Sequence, residues 1–274
     1  GKLWGEYSQH DKAIDFYRRA LAAPDGAATR KAEEQLANML TRHAQVLADG
    51  QQFDAALGAL DEAERVLALT PGRQFATDER INLQGAINKR RLACLVRAQP
   101  TLDDLRKALK AVHDTYAEAE RAAVAAGGRR YYAGNNADQI AALRLLAGDL
   151  GADDKQATAD SLQAIDTELG AGFTPTNFWE RVSRSDLALA HWLFDVALGQ
   201  ADGSTLNGLC DGYKSILDLH ATPRERESVL TTISTLNAAA SCMTDFAATK
   251  SKSHKSRTTL VRDGLRTLLD TIRA

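Results

Sequence analysis

Cysteine is scarce in this chain of 274 residues, which has only Cys94, Cys210 and Cys242. Three thiols spread over such a length cannot build the disulfide framework of a small secreted domain. A chain of this size buries roughly 75% of the surface its unfolded form exposes, so it needs no covalent staple. The few unpaired thiols predict a reducing compartment, and we expect a cytoplasmic protein.

An excess of either charge is also missing, because 34 Lys and Arg stand against 36 Asp and Glu, for a net charge of -2. General nucleic-acid binders carry a strongly basic surface, so nucleic acid is not an expected partner. No apolar run approaches the ~18 residues of a membrane span. No basic-then-apolar signal segment opens the chain. The composition therefore predicts no membrane association and names no partner.

The residue types of metal and nucleotide sites are present but dispersed. No His-Glu-x-x-His pattern occurs, and neither the Walker nor the dinucleotide type of glycine-rich loop is found. We therefore predict no metal and no cofactor. His191 lies beside Trp192, and we expect it to be partly buried among aromatic residues. The six histidines stand at His10, His43, His113, His191, His220 and His254.

Helical spacing of apolar residues runs through nearly the whole chain, which predicts an all-α fold. Two segments have the sequence pattern of a helix N-terminus: Thr101 with an acidic residue three positions later, and Thr222-Pro223 with Glu225. The helix after Thr101 is expected to end at Gly127-Gly128, a pair suited to a left-handed cap. Residues 228–236 are rich in β-branched side chains but keep helical spacing, so we predict a helix there as well.

The first third of the chain carries an internal repeat of small and bulky residues. Ala13, Tyr17 and Ala20 have the spacing by which the second helix of a tetratricopeptide hairpin packs on the first, with Trp4 as the large residue of that first helix. The spacing returns at Ala56, Leu60 and Ala63, with a period longer than the ~34 residues of a standard repeat. A third hairpin is expected from Thr77 to Gly127. The pattern predicts a short tetratricopeptide-like solenoid of overlong hairpins, in which these alanines are buried.

Counting repeat positions back from Ala13 places Gly1 inside a first helix whose opening residues are missing. We therefore expect that this chain is cut from a longer protein. Residues before Gly1 could carry its activity.

Three stretches resemble the TRAF-binding central region of the apoptosis-signal-regulating kinases, which is also found in bacterial tetratricopeptide proteins. They are residues 78–90, the Tyr-Tyr-x-Gly-x-Asn-Ala segment at 131–137, and Phe178-Trp179-Glu180, with a weaker fourth stretch at 224–228. The chain departs from the family pattern at Asn135, usually apolar, and at Asn88, usually tyrosine. The resemblance implies further helical hairpins after the repeats and a role in protein recognition.

The Tyr-Tyr segment also has a physical interpretation of its own. Gly134 can take a positive φ, and Asn135 or Asn136 can cap a helix that starts near Ala137. We therefore expect a structural turn between two hairpins, formed by Tyr131, Tyr132, Gly134 and Asn136. A ligand-binding loop is the alternative.

Catalytic residues are not predicted. Cys210, Asp218 and His220 have the residue types of a thiol nucleophile, an acid and a base, but positions ten apart on a helix do not share one face closely. Cys210 lies among leucines and is expected to be a buried structural residue.

A basic stretch runs from Lys250 to Arg257 and contains no aromatic residue for base stacking. We predict a flexible linker over residues 249–257, with contact to nucleic acid or an acidic protein as the alternative. It precedes a final amphipathic helix over residues 258–274, whose apolar stripe includes Val261, Leu265, Leu268 and Ile272.

Tetratricopeptide solenoids usually bind extended peptides on a concave surface lined by first helices. The repeat positions that line it carry Asn38, Thr41, Gln45, Asn82 and Lys89 here. Amides in a groove can bond to a partner's backbone, so this polar stripe is the predicted partner-binding site. An ordinary polar face is the alternative.

These observations predict a non-catalytic scaffold that binds a protein or peptide partner. The alternative is a sensor or regulatory arm of a larger signalling or defence protein, for which a neighbouring effector domain or a second copy is the partner. An enzyme comes third. The predicted domains are tetratricopeptide-like hairpins at 1–128 and TRAF-binding-region-like hairpins at 129–248, then the linker and the final helix.

Overall fold

The computed structural model of the chain describes residues 9–23, 30–68, 77–201, 204–247 and 251–274. Over these ranges the chain forms eleven helices and no strand, which confirms the predicted all-α fold. Gly1 and Trp4 lie outside the described residues. In chain order the helices are α1 His10–Leu21, α2 Arg30–Asp49, α3 Phe53–Ala68, α4 Asp78–Arg97, α5 Leu102–Ala125, α6 Tyr131–Ala147, α7 Ala152–Glu168, α8 Phe178–Leu198, α9 Leu206–His220, α10 Pro223–Phe246 and α11 Lys252–Arg273.

The chain separates into two compact units, Gly1–Cys94 and Leu95–Ala274, and the division falls inside α4. The range of the third predicted hairpin, residues 77–127, contains α4 and α5, and their pairing as a hairpin stays a prediction. The domain boundaries expected after residues 128, 248 and 257 stay predictions.

In the first unit, α2 packs against both α1 and α3. Ala13, Ala56 and Ala63 are fully buried, as the repeat spacing predicts, whereas Ala20 is only half-buried. Small residues at these positions let the helix axes approach closely, so that larger neighbours such as Leu60 can fill the core.

In the second unit, α6 is the central helix. It contacts α5, α7 and α8, and most of its side chains are buried on all sides. Further along the chain, α9 packs against α8 and α11, and α10 packs against α11. A helix buried all round has no polar face to show to water, so polar residues within α6 must find partners on neighbouring helices.

The predicted helix ends are confirmed. The Thr101 side chain accepts a hydrogen bond from the backbone N–H of Asp104 at 3.2 Å, and Thr222 and Glu225 form a complete capping box before α10. The helix that begins at Leu102 ends at Ala125, and Gly127 follows with φ of 71°. Residues 228–236 lie within α10, so they are helical rather than a strand.

The predicted linker at 249–257 is wrong for residues 252–257, which form the first turns of α11. Ser251 caps this helix by accepting a hydrogen bond from the backbone N–H of His254 at 3.3 Å. Arg257 donates to the Ala197 carbonyl at the end of α8 at 2.6 Å, which ties the basic turn to the fold. Lysine and arginine are good helix formers, so a cap and one anchor suffice to order the stretch. Lys250 lies outside the described residues. The apolar stripe of the final helix is buried as predicted.

Candidate partner-binding surfaces

The polar stripe predicted as the partner-binding site lies on α2 and α4, but most of it is not accessible. Thr41, Gln45 and Lys89 are 4%, 9% and 7% exposed, so the expectation that they line an open groove is wrong. Asn38 and Asn82 are half-buried and still reach the surface.

The physical reason for this burial is visible in two of the three residues. The Thr41 hydroxyl donates to the Ala37 carbonyl at 2.7 Å, and the Gln45 amide donates to Asp49 Oδ1 at 2.8 Å, both within α2. The bond to Ala37 satisfies the Thr41 hydroxyl, so its burial costs little, whereas Gln45 Oε1 is buried without a hydrogen-bond partner among the described residues. A polar side chain at these repeat positions therefore does not mean that the position is exposed.

The turn predicted at Tyr131, Tyr132, Gly134 and Asn136 is also misplaced, since all four residues belong to the first turns of α6. The Arg130 carbonyl already accepts the backbone N–H of Gly134 at 2.9 Å, so the helix begins before the expected start near residue 137. The Asn136 amide donates to the Tyr132 carbonyl at 2.8 Å inside the helix, and the N-cap position of α6 is Arg130 rather than Asn136. The actual corner between α5 and α6 is the segment 126–130.

Within α6 the segment serves close packing. An added Cβ at Gly134 would lie 2.6 Å from Cδ1 of Ile165, so the glycine lets α7 approach. The Asn135 amide donates to the Ser183 carbonyl of α8 at 3.0 Å, and the Gln139 amide donates to the Asp186 carbonyl at 3.1 Å. Both bonds tie α6 to α8, while the absence of a side chain at Gly134 lets α7 pack closely on the other side.

Two of the stretches that carry the family resemblance meet at the start of α6. Arg129 approaches Glu180 at 3.7 Å between Nη1 and Oε1. The Tyr131 and Phe173 rings stand edge to face with centroids 6.0 Å apart. The guanidinium groups of Arg129 and Arg184 lie 5.1 and 5.6 Å from the Phe173 centroid. This cluster fastens the 169–177 loop to the start of α6 and α8.

A buried acidic cluster lies between α5, α6 and α7. Asp138 is 3% exposed, and its Oδ2 accepts a hydrogen bond from the Ser161 hydroxyl at 2.8 Å. Burial raises the pKa of Asp138 well above its usual value, and burial also raises the pKa of Glu120. Arg130 compensates part of the negative charge, with Nη1 3.6 Å from Glu120 and its backbone N–H donating to Glu168. The cluster joins three helices.

Cys210 is 5% exposed, as expected for a structural cysteine. Burial raises the pKa of its thiol, which disfavours the reactive thiolate. Asp218, the acid considered with it, instead pairs with Arg226 at 2.6 Å and with Lys214 at 3.1 Å.

A surface groove of about 540 Å³ lies between α8 and α9. The α8 wall includes Arg184, His191 and Asp195, and the floor includes Trp192 and Leu209, which are both buried. The α9 wall is low because it carries Gly208 and Gly212. The volume falls within the ~300–1,000 Å³ typical of ligand sites.

The polar side chains of the groove are available for a ligand. Arg184 donates to the Phe173 carbonyl at 3.2 Å and has no carboxylate partner among the described residues. The side chains of His191 and Asp195 make no hydrogen bond or ion pair within the described part of the chain. Unpaired charges on a partly apolar groove favour the binding of a partner with complementary charges.

Sequence reasoning missed this groove, although the sequence contains a signal for it. Arg184, His191 and Asp195 are spaced by seven and four residues, which places them on one face of a helix. Gly208 and Gly212 are four residues apart in a predicted helix. Glycine lowers helix propensity, so two glycines on one face indicate a role other than forming the helix. The one expectation for this stretch concerned His191 beside Trp192, and that histidine is half-buried as predicted.

Metal sites and membrane spans are both missing from the described ranges. No group of three or more His, Cys, Asp or Glu side chains able to hold a metal ion occurs there. Of the helices in those ranges, none is long and apolar enough to cross a membrane.

Successive helical hairpins around small buried residues define an all-α protein of the helical-repeat class. Residues 9–143 match the family model TPR-S, described as Tetratricopeptide Repeats-Sensor. The match runs from the start of α1 into α6 and supports a tetratricopeptide-type protein. No curated protein and no solved structure matches the chain.

Proposed function

We propose that this chain is a non-catalytic recognition module that binds a protein or peptide partner. The observation that carries the proposal is the groove between α8 and α9, with Arg184, His191 and Asp195 on one wall. The match to a tetratricopeptide family adds support, because such repeats generally mediate protein interactions.

The absence of catalysis is part of the proposal. In support of it, the carboxyl groups whose pKa is raised, Asp138 and Glu120, hold helices together outside the residues that line the groove. The thiol of Cys210 is buried with a raised pKa and has no activating base in hydrogen-bond contact among the described residues. A catalytic site needs perturbed groups that can reach a substrate.

Kinship of the second unit with the TRAF-binding central region belongs to the same proposal. Arg129, two residues before the 131–137 stretch, lies with its Nη1 3.7 Å from Glu180 of the 178–180 stretch, so the two recognised stretches are neighbours at the start of α6. Residues that share a packing role are expected to persist together in a family. A cytoplasmic location is likewise proposed, from the three free cysteines.

A sensor or regulatory arm of a larger signalling or defence protein is the second candidate. It is favoured by the description of the matching family, which contains the word sensor. The two functions share a binding surface and differ in the consequence of binding. Sequencing the whole gene, and measuring whether a bound partner changes the activity of any fused or adjacent effector domain, separates them.

Peptide selection tests the recognition function directly. A random heptapeptide library displayed on phage is selected on the immobilised chain, and the winners are measured by calorimetry. We expect winners with Kd below about 100 μM, which corresponds to about 5.5 kcal/mol of binding free energy. Winners that bind the urea-unfolded chain equally well, or no winners at all, would contradict a recognition function for peptides.

A further inference from the structure

We infer that the groove between α8 and α9 holds an extended peptide segment with a fixed charge pattern: an acidic group opposite Arg184, a basic group opposite Asp195, and an apolar side chain between them. This inference rests on the proposed recognition function and adds the chemistry of the partner. Each part of the pattern comes from a different feature of the groove.

The separation of the charges sets the length of the segment. Arg184 and Asp195 lie on one face of α8, and at 1.5 Å per residue their backbones are about 16 Å apart. An extended peptide advances about 3.3 Å per residue, so about five residues span that distance. A compact small molecule with one charge would satisfy only one end.

The two charged side chains of the groove determine which charges the peptide must carry. Arg184 is held in place by the Phe173 carbonyl at 3.2 Å, and its guanidinium lies over the Phe173 ring. It is thus positioned but has no carboxylate partner among the described residues. Asp195 forms no ion pair within that part of the chain, so it favours a basic group on the partner.

The apolar floor of the groove determines the kind of side chain expected in the middle of the peptide. Trp192 and Leu209 are 4% and 7% exposed and line the groove between its charged ends. The indole N–H of Trp192 has no acceptor among the described residues. An apolar side chain of the partner would cover this floor and exclude water from it.

The α9 wall of the groove leaves space for the backbone of a bound peptide. Gly208 lies in the first turn of α9, and a Cβ built on it would meet nothing within 4 Å. Internal packing therefore does not require glycine there, although glycine is a poorer helix former than alanine. A low wall at this position leaves space for the backbone of a bound segment.

The experiment uses the intact chain and the heptapeptide library on phage, together with four variants. Gly208→Leu should fill part of the groove without disturbing the fold, because nothing lies within 4 Å of the added Cβ. Gly58→Leu is the matched control, since Gly58 is also an exposed helical glycine whose Cβ would meet nothing within 4 Å, on α3. Arg184→Glu and Asp195→Lys reverse the charge at each end. Circular dichroism and the Tm verify that each variant is folded.

We expect the selected peptides to carry an acidic and a basic residue about four to six positions apart with an apolar residue between. Their affinity should fall at least about tenfold in Gly208→Leu and remain within about twofold in Gly58→Leu. Arg184→Glu should prefer peptides whose acid is replaced by lysine, and Asp195→Lys should prefer peptides whose base is replaced by glutamate. Such exchange of preference is the result that a merely structural role would not produce.

Two contrary outcomes are distinguishable. Winners that lack the charge pair, or that bind Gly208→Leu as well as the native chain, overturn the groove assignment while leaving peptide recognition in place. No winners above background overturn both the groove assignment and the proposed function.

Discussion

Asp138 shows how one polar residue can be retained in the centre of a helical protein. It lies on α6, is 3% exposed, and bonds to Ser161 on α7. Burial penalises its charged form, and the nearby Glu120 carboxylate adds to that penalty, so the pKa of Asp138 is raised. The hydrogen bond from Ser161 favours the charged form, but burial outweighs it, so the folded chain favours protonated Asp138.

Because the pKa of Asp138 is higher in the folded than in the unfolded chain, its contribution to stability is fully present below about pH 3.9. The contribution is lost as the pH rises through the folded pKa. We expect the free energy of unfolding in Asp138→Asn to fall less than that of the native chain as pH rises above about 4. Urea unfolding at several pH values measures this, with Asp166→Asn, an exposed acid on α7, as the control. The same pH slope in native and Asp138→Asn chains would show that Asp138 is ionised when buried.

Cys210 provides a second test at this scale. Burial raises the pKa of its thiol, so little thiolate exists at neutral pH. A thiolate-specific probe should label Cys210 more slowly in the native chain than in urea, as read by mass spectrometry of the labelled peptide. Faster labelling in the native chain would point to an activated nucleophile and against a structural role.

At the scale of elements, close contact between α2 and α3 depends on small residues. Ala63 is fully buried on α3, so Ala63→Leu should lower the free energy of unfolding by about 1 to 3 kcal/mol through overpacking. Ala55→Leu, an exposed position on the same helix, should change it by less than about 0.5 kcal/mol. Chemical denaturation compares the two. Equal midpoints for both variants would mean that α2 and α3 do not pack as described.

Two glycines allow close approach of helices in the second unit, but their neighbours differ. A Cβ at Gly264 on α11 would lie 2.6 Å from Cζ2 of Trp192, a rigid ring, whereas a Cβ at Gly134 would meet Cδ1 of Ile165, the end of a flexible side chain. Gly264→Ala should therefore cost about 1 to 3 kcal/mol despite its better helix propensity. Gly134→Ala should cost less, because Ile165 can change rotamer.

The measurement for this pair is urea unfolding beside Gly58→Ala, where nothing lies near the new methyl group. That control should gain up to about 1 kcal/mol from helix propensity alone. If Gly264→Ala is as stable as Gly58→Ala, the indole of Trp192 does not pack against α11.

At the scale of the whole molecule, two surfaces compete as the partner site. The stripe of the first unit keeps only Asn38 and Asn82 within reach of solvent, and Asn38 is already bonded to Arg42 at 3.3 Å. The groove of the second unit has positioned charges without partners in the described residues.

Peptide affinity should therefore separate the two surfaces. The double variant Asn38→Ala with Asn82→Ala should bind a selected peptide within about twofold of the native chain, whereas Arg184→Glu should weaken it at least about tenfold. Calorimetric titration measures both. The reverse order of effects would return the partner site to the first unit, where the repeat positions predict it.

The sequence by itself determined the helices. Sequence patterns predict the helix periods, the helix caps and the small buried residues, because these signals act within a few residues along the chain. The caps are Thr101 and Thr222, and the small residues are Ala13, Ala56 and Ala63. The match to a tetratricopeptide family agrees with the repeat read from them. The basic run before the final helix predicts a linker, but Ser251 caps the run and residues 252–257 are helical.

Only the tertiary structure decided which polar residues are exposed. The repeat pattern predicts that Thr41 and Lys89 are exposed, yet both are buried. The turn expected at Gly134 is instead part of a helix that packs against α7. Arg184, Asp195 and Gly208 form a groove because α8 and α9 lie side by side, which no spacing within either helix shows. Local hydrogen bonds and periodicity fix elements, but exposure is set by neighbours distant in the chain, and a binding site is a property of exposure.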